Sequence, residues 1–199
     1  MSVFMEELKR LLNLECDRTL SSEQWDEVFA LANVMHLKKG EPLIVPGEVK
    51  PDIYIVKEGI MRGIDFDGDR ERTFCFGLPG TIFNSRFSFY RGLPSYYQIE
   101  ACCPSVVLRV SREDWIGLTD RNHAFAIWAL HYAWSEQFLE EDRESTVHNG
   151  NAEDRYLHML RTRPVIVEKV SQRILASYLG ISPEHLCRVK ARILKNNLK

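Results

Sequence analysis

Between residues 37 and 111 the chain consists of short, mostly apolar runs that glycine, proline and aspartate interrupt every few residues. The runs include "PLIVP", "DIYIVKEG", "RTFCFG" and "SVVLRV". Runs of this length and spacing are typical of an antiparallel barrel or sandwich. Asp67-Gly68 is a predicted hairpin turn, because this dipeptide favours the tight turns that join antiparallel strands. The stretch therefore restricts the chain to folds that contain a small β-domain.

Helical patterns flank this β-region on both sides. Residues 3–36 are predicted to be helical, with Ser21 or Ser22 as an N-cap. After Arg112 the helical period returns in "REDWIGLTD" and then in a long segment over residues 123–148. Asn149-Gly150 indicates a helix stop. Asn151 starts a further small helical domain, over about residues 152–199.

The segment over residues 123–148 is unusually aromatic. Its apolar side chains recur at helical spacing and are predicted to form one stripe: Phe125, Trp128, Tyr132 and Leu139, with Ile127, Leu130 and Trp134 beside it. This stripe is broader than the β-region alone can cover. We therefore expect the helix to pair with its symmetry mate in a homodimer. A core helix packed within one domain is the alternative.

The C-terminal forty residues are strongly basic. Residues 160–199 carry nine Lys and Arg side chains against two acids, a net charge of +7, although the whole chain carries −2. The rest of the chain is therefore acidic, at −9. A basic end on an acidic body favours a polyanionic partner for that end. A solvated basic helix is the alternative.

The stretch "ASYLGISPEHLCRVKARIL", residues 176–194, has the pattern of a helix-turn-helix. Ala176 is small where two helices of a tight pair touch, and Gly180 suits a turn that needs a positive φ. Ser182 is a predicted N-cap, and Pro183 follows at the first helical position. One buried face is predicted: Leu175, Leu179, Leu186, Val189 and Ile193. The charged side chains of the second helix point away from it, where they could contact base edges in a DNA major groove. A structural helical hairpin is the alternative.

Composition excludes several other classes of protein. No apolar run approaches the roughly 18 residues of a membrane span, and the N-terminus lacks the apolar core of a signal peptide. Five cysteines with no repeated C-x-x-C indicate neither a disulfide framework nor a zinc ribbon. The β-region has no histidine between His36 and His123, so it lacks the clustered imidazoles of a cupin-type metal enzyme. We expect a cytoplasmic binding protein without a metal or cofactor, not an enzyme.

Nearly the whole chain resembles the CRP/FNR family of bacterial transcription regulators. The glycine pattern of "KKGEPLIVPGEVKPDIYIVKEGIMR" matches the start of that family's β-roll, and "SPEHLCRV" matches its DNA-reading helix. The resemblance implies an α+β fold. An antiparallel, cyclic-nucleotide-binding-type roll over about residues 37–111 and a dimerisation helix over about 123–148 form a first domain, residues 1–148. A helix-turn-helix domain follows over residues 152–199, with a shortened or absent wing after it.

The resemblance also implies a set of DNA contacts and partners. Glu184 and Arg188 correspond to base-reading residues of the family, and His185 is a further candidate. Candidate phosphate contacts are Ser171, Gln172, Ser182, Lys190, Arg192 and Lys195. The expected partners are double-stranded DNA and a second copy of the chain, with RNA polymerase as a further candidate and no membrane. The alternative for Glu184 and Arg188 is a surface ion pair that makes no contact with DNA.

The nucleotide-binding segment departs from the family pattern. In the family, a glutamate holds the ribose and an arginine holds the cyclic phosphate. Here Thr81 stands for the glutamate, and Pro94-Ser95-Tyr96 stands where Arg-Ser-Ala is expected. A phosphate buried without a cation costs several kcal/mol, which argues against cyclic AMP. The residues of a candidate effector pocket are Thr81, Ile82, Phe83, Arg86, Ser95, Tyr96, Tyr97 and Trp128.

A second class of function fits the same pattern. The chain could be a signalling adaptor whose roll binds a small molecule and whose helical tail binds a protein. Salt separates the two functions, because affinity that comes from neutralised DNA phosphates falls steeply as salt rises. An apolar contact between a helix and a protein groove does not show that dependence.

Overall fold

The computed structural model describes residues 3–14, 16–68 and 70–197, and side chains within 4–14, 16–68, 70–142 and 150–195. Two helices come first, α1 (Val3–Leu14) and α2 (Ser22–Ala30). Ser21 caps α2: its hydroxyl accepts from the Gln24 backbone, while the Gln24 side chain accepts from the Ser21 backbone. This reciprocal pair satisfies two backbone donors at the start of the helix.

The strands form two antiparallel sheets. They are β1 (Asn33–Leu37), β2 (Pro42–Ile44), β3 (Ile53–Glu58), β4 (Met61–Asp67), β5 (Arg70–Gly77), β6 (Ile82–Phe83), β7 (Gln98–Ala101) and β8 (Ser105–Val110). One sheet has the order β1-β8-β3-β6 and the other β2-β7-β4-β5. Gly68, with φ of 59°, lies in the turn between β4 and β5, as Asp67-Gly68 predicts. The expected α+β fold with an antiparallel roll is confirmed.

The prediction of helix up to residue 36 is wrong at its end. Helix α2 ends at Ala30, and residues 33–37 form β1. Every residue of β1 pairs with β8, from Asn33 opposite Arg109 to Leu37 opposite Ser105. A ladder partner distant in sequence therefore decides the conformation of this segment, which its own pattern does not reveal. The roll begins at Asn33.

Three helices connect to or follow the roll. The short α3 (Arg86–Arg91) lies between β6 and β7, and the sequence pattern did not indicate it. Helix α4 (Arg112–Arg121) and the long α5 (His123–Asn149) follow β8, as predicted. The apolar core brings α1, α2, α4 and α5 against strands β3 and β8. Trp128 of α5 lies at its centre, with its ring 4.7 Å from that of Trp25.

Helix α5 has two apolar faces rather than the single broad stripe expected. Phe125, Trp128 and Tyr132 are buried in the core. Leu130, Trp134 and Phe138 are exposed by 54%, 66% and 68%, and their spacing of four residues places them together on another side of the helix. Trp128, predicted as part of a dimer contact and an effector pocket, is instead a core residue because aromatic rings surround it.

The chain divides into two compact units, and each unit combines two separate segments of the sequence. The first comprises Met1–Gly63 and Phe76–Phe138. The second comprises Ile64–Cys75, the distal half of the β4–β5 hairpin, together with Leu139–Lys199. Its helices are α6 (Ala152–Thr162), α7 (Pro164–Lys169), α8 (Gln172–Tyr178) and α9 (Pro183–Asn197). Asn151 caps α6 in a capping box with Asp154, as the sequence indicates.

Candidate nucleic-acid interface

The turn between α8 and α9 is built around Gly180. Its φ of 68° lies in the left-handed region, which glycine adopts without the steric cost of a Cβ atom. The Gly180 amide donates to the Ser177 carbonyl at 3.2 Å, and the Ile181 amide donates to the Ala176 carbonyl at 3.0 Å. These bonds close the end of α8 and reverse the chain into α9. The predicted positive φ at Gly180 is confirmed.

Helix α9 begins as its sequence predicts. Pro183 is its first residue, and the Ser182 hydroxyl accepts from the His185 backbone amide at 3.1 Å. The predicted apolar face is buried: Leu175, Leu179, Leu186, Val189 and Ile193. Ala176 is fully buried as well. This packing fixes which side of α9 faces solvent.

The exposed side of α9 carries the candidate base-reading residues. Glu184 and Arg188 are exposed, and His185 is half-buried. Glu184, Arg188, Ala191 and Lys195 recur every three or four residues, so they share one face. Ala191 was not among the candidates, although this same spacing would have identified it. The face offers a carboxylate, a guanidinium, a methyl group and an ammonium group in sequence along the helix.

Local contacts hold Glu184 in its charged form. Hydrogen bonds from its own backbone amide and from the Ser182 hydroxyl, together with the nearby charge of Arg188, keep the pKa of Glu184 below its ordinary value. Within the part of the chain that the structure describes, no side chain forms an ion pair with the Arg188 guanidinium. The Glu184 carboxylate is therefore charged at neutral pH, and the Arg188 guanidinium is exposed to a ligand.

The candidate phosphate residues fall into two groups. Ser171 and Ser182 are exposed N-caps of α8 and α9, Gln172 is the exposed first residue of α8, and Lys195 is exposed on the face of Arg188. These positions present backbone amides and polar side chains to solvent at two helix N-termini, where an anion is favoured. They form the group that the structure leaves accessible to a phosphate backbone.

Lys190 and Arg192 are instead engaged with α6. The Lys190 ammonium nitrogen lies 5.9 Å from the centre of the Tyr156 ring, and the side chain is half-buried. The Arg192 guanidinium lies 3.3 Å from the Glu153 carboxylate. Lys190 lies on the opposite side of α9 from Glu184 and Arg188, as the helical repeat requires. The structure therefore separates Lys190 from the other candidates.

The eight candidate effector residues do not line one enclosed pocket. Trp128 is in the core, whereas Arg86 and Tyr96 are exposed. The Thr81 hydroxyl accepts from the Leu78 amide at 3.1 Å and closes a turn before β6. The Ile82 amide donates to the Tyr132 hydroxyl at 2.8 Å, which ties β6 to α5. A cavity of about 280 Å³ in the first unit lies elsewhere, lined by residues of α1 and of the turn after β3.

Hydroxyl groups of the nucleotide-binding segment bond to the segment's own backbone. The Ser95 hydroxyl donates to the Tyr97 carbonyl at 2.9 Å, and the Tyr97 hydroxyl donates to the Asn84 carbonyl at 2.6 Å. Buried Ser85 caps α3, and the Ser88 hydroxyl donates to the Leu93 carbonyl. These four hydroxyls hold the segment in shape through bonds to its own backbone.

A buried cation of the roll is also already paired. The Arg62 guanidinium on β4 contacts the Glu100 carboxylate on β7 at 2.7 Å, and the Gln98 amide donates to the same carboxylate at 2.8 Å. Moving Arg62 to a bound phosphate would leave Glu100 buried without its partner, which is costly. Arg62 is therefore engaged within the roll.

No metal site and no membrane span is found in the described residues. Within them, no group of three or more His, Cys, Asp or Glu side chains is placed to hold a metal ion. None of the helices is both long and apolar enough to cross a membrane.

The comparisons with known proteins agree with this architecture. Residues 34–122 match the family model described as the cyclic nucleotide-binding domain. Over these residues the chain is similar to that domain. That domain spans the roll and α4, and begins at β1, where the structure places the first strand. No curated protein matches the chain.

Solved structures resemble more of the chain than residues 34–122. FixK2 from Bradyrhizobium japonicum has a TM-score of 0.72 at 22% identity, over 83% of this chain and 86% of that one. The c-di-GMP-responsive global regulator CLP from Xanthomonas campestris has a TM-score of 0.72 at 18% identity, over 89% and 94%. CooA from Carboxydothermus hydrogenoformans, a mutant, has 0.67 at 15%, over 84% and 78%. The chain therefore shares its fold with these three proteins.

Proposed function

We propose that the chain is a transcription regulator that binds double-stranded DNA through α9. The observation that carries the proposal is the tight α8–α9 turn, which buries one face of α9 and leaves Glu184, Arg188 and Lys195 exposed on the other. A helix presented in this way suits the major groove. The similarity of fold to CLP, a regulator of virulence gene expression, supports it.

The proposal assigns different tasks to the exposed groups. Arg188 donates a bidentate pair to guanine O6 and N7, the commonest specific contact in the major groove. Glu184 accepts from a cytosine amino group or orients the Arg188 guanidinium, and His185 is placed beside them. Ser171, Gln172, Ser182 and Lys195 contact phosphates and set the register of the helix on the duplex.

A homodimer completes the proposed DNA-binding form. Leu130, Trp134 and Phe138 present apolar surface to solvent on the face of α5 away from the core. Large exposed apolar side chains in a row are the usual mark of an interaction surface. Pairing this face with its symmetry mate covers both copies at once, since a twofold contact uses the same patch twice. An RNA polymerase contact would be additional to this interface.

The effector of this regulator is proposed not to be cyclic AMP. The segment that should hold the ribose and the phosphate is closed by its own hydrogen bonds, and Arg62 is paired with Glu100.

Salt dependence tests the proposed function against the adaptor alternative. The purified protein is titrated with a fluorescent mixed-sequence duplex between about 50 and 200 mM salt. A DNA-binding protein that neutralises several phosphates loses affinity steeply over this range, with a slope set by the number of contacts. Affinity that is absent, or that does not change with salt, would favour the adaptor.

A further inference from the structure

Ser177, the second-last residue of α8, bonds to the distal half of the β4–β5 hairpin within the second compact unit. Its hydroxyl oxygen accepts from the Thr73 backbone amide at 2.9 Å. The same hydroxyl donates to the Glu71 carbonyl oxygen at 3.2 Å. One side chain of the helix-turn-helix therefore meets two backbone groups of one strand, more than a hundred residues away in the sequence.

The two hydrogen bonds complete an edge of a sheet. Strand β5 is the last strand in the order β2-β7-β4-β5, so one of its edges faces away from the other strands. Ser177 contacts an amide and a carbonyl two residues apart on β5, as a neighbouring strand would. Thr73 is fully buried, where a lost hydrogen bond costs more than it does at the surface.

The contact leaves the proposed DNA-binding groups open. Ser171, at the other end of α8, is exposed while Ser177 is bonded, and so are Ser182, Glu184 and Arg188. The hairpin therefore supports the helix-turn-helix from a side that DNA does not need. An autoinhibitory contact would instead have covered at least part of the exposed face of α9.

We propose that Ser177 is a positioning residue for DNA recognition, which holds α8 and hence α9 through the backbone of β5. This inference rests on the proposed DNA-binding function. Strand β4 begins in the first unit and ends in the second, so the chain passes between the units in this hairpin as well as in α5.

A matched pair of variants isolates the hydroxyl. Ser177→Thr keeps it, whereas Ser177→Val has the shape of threonine and lacks it. Ser177→Ala removes it without added volume. Thr162→Val serves as control, because the Thr162 hydroxyl bonds within α6, to the His158 carbonyl at 2.8 Å. The full-length variants are compared by hydrogen exchange of the Thr73 amide and by fluorescence anisotropy on DNA selected by the wild-type protein.

We expect Ser177→Thr and Ser177→Val to differ both in Thr73 amide exchange and in DNA affinity. In Ser177→Val and Ser177→Ala the Thr73 amide exchanges faster, and DNA affinity falls roughly threefold to tenfold, the range of one ordinary hydrogen bond. Ser177→Thr restores both readouts toward wild type, and Thr162→Val changes neither. A residue that only contributes stability would accelerate exchange and leave DNA affinity unchanged at temperatures where all variants are folded.

Three outcomes would overturn the inference. Unchanged exchange at Thr73 in Ser177→Val and Ser177→Ala would mean that the contact does not hold in solution. Faster exchange with unchanged DNA affinity would leave no positioning role, and higher affinity would mean that the contact inhibits. Failure of the proposed function shows differently, as a lack of DNA binding by the wild-type protein. That result removes the positioning role, while hydrogen exchange still tests the contact.

Discussion

Arg188 is the residue on which the proposed sequence recognition depends most. Its side chain is exposed on α9, and among the described residues no carboxylate forms an ion pair with it. Arg188→Ala should cost about 1–3 kcal/mol per half-site and relax the preference for guanine at one position, because a bidentate contact to the base is lost. Competition binding on selected and scrambled duplexes measures both effects.

Lys195→Ala is the matched comparison for Arg188→Ala. Lys195 shares the exposed face, where it is proposed to contact a phosphate. The Lys195→Ala substitution should therefore weaken binding to every sequence about equally and flatten the salt slope by about one unit. An Arg188→Ala protein that keeps full discrimination between the two duplexes would rule out direct reading by Arg188. Glu184 and Arg188 would then be only neighbouring surface charges.

The hydroxyls of the nucleotide-binding segment support a second prediction at this scale. Ser95 and Tyr97 bond to backbone carbonyls of their own segment, and Arg62 is held by Glu100. Binding a cyclic nucleotide would break these contacts, and moving Arg62 to the phosphate would take the cation away from Glu100. Isothermal titration calorimetry with cyclic AMP should therefore detect no binding in the micromolar range. Heat that fits a micromolar or tighter site would contradict this account of the roll.

At the scale of elements, α5 carries the proposed dimer contact on its outward face. Changing Trp134 and Phe138 together to Glu should give a folded monomer, because it places charges on an apolar surface that the mate would cover. Light scattering measures the mass. Val49→Glu is the control, since Val49 is an exposed apolar residue of the roll and not of α5.

The buried face of α5 gives a different result and must be kept out of this test. Trp128 is fully buried between Trp25, Phe125 and Tyr132, so a charge there would destabilise the first unit itself. A dimer that survives Trp134→Glu with Phe138→Glu at wild-type stability would place the interface elsewhere. Circular dichroism on the same samples separates a true monomer from an unfolded chain.

Local chemistry explains which elements could be predicted from the sequence. Ser21, Asn151, Gly180 and Ser182 are caps and turns whose function depends on immediate neighbours, and the structure confirms them. Strand β1 could not be predicted, because its partner β8 lies some seventy residues away. The two faces of α5 are apolar alike, so periodicity alone could not tell the core face from the outward one.

At the scale of the whole molecule, the sequence predicts the roll, the long helix and the helix-turn-helix. It does not predict which segments form each compact unit. Residues 64–75 of the hairpin form one compact unit with the C-terminal helices. The hydrogen bond between Ser177 and Thr73 lies within that unit. Such a contact joins a side chain to backbone groups, which carry no sequence signal. The engagement of Lys190 and Arg192 with α6 escaped prediction for a similar reason, since charge alone does not show which face of a helix packs.

The central claim is that two copies of the chain read one DNA site through α9. Selection of bound duplexes from a random pool with the purified protein tests it most directly. The account predicts a pseudo-palindrome whose half-sites lie about one helical turn, roughly 34 Å, apart, with a guanine preference that Arg188→Ala relaxes. A pool that stays random after repeated rounds, or that converges on a site without twofold symmetry, would contradict it.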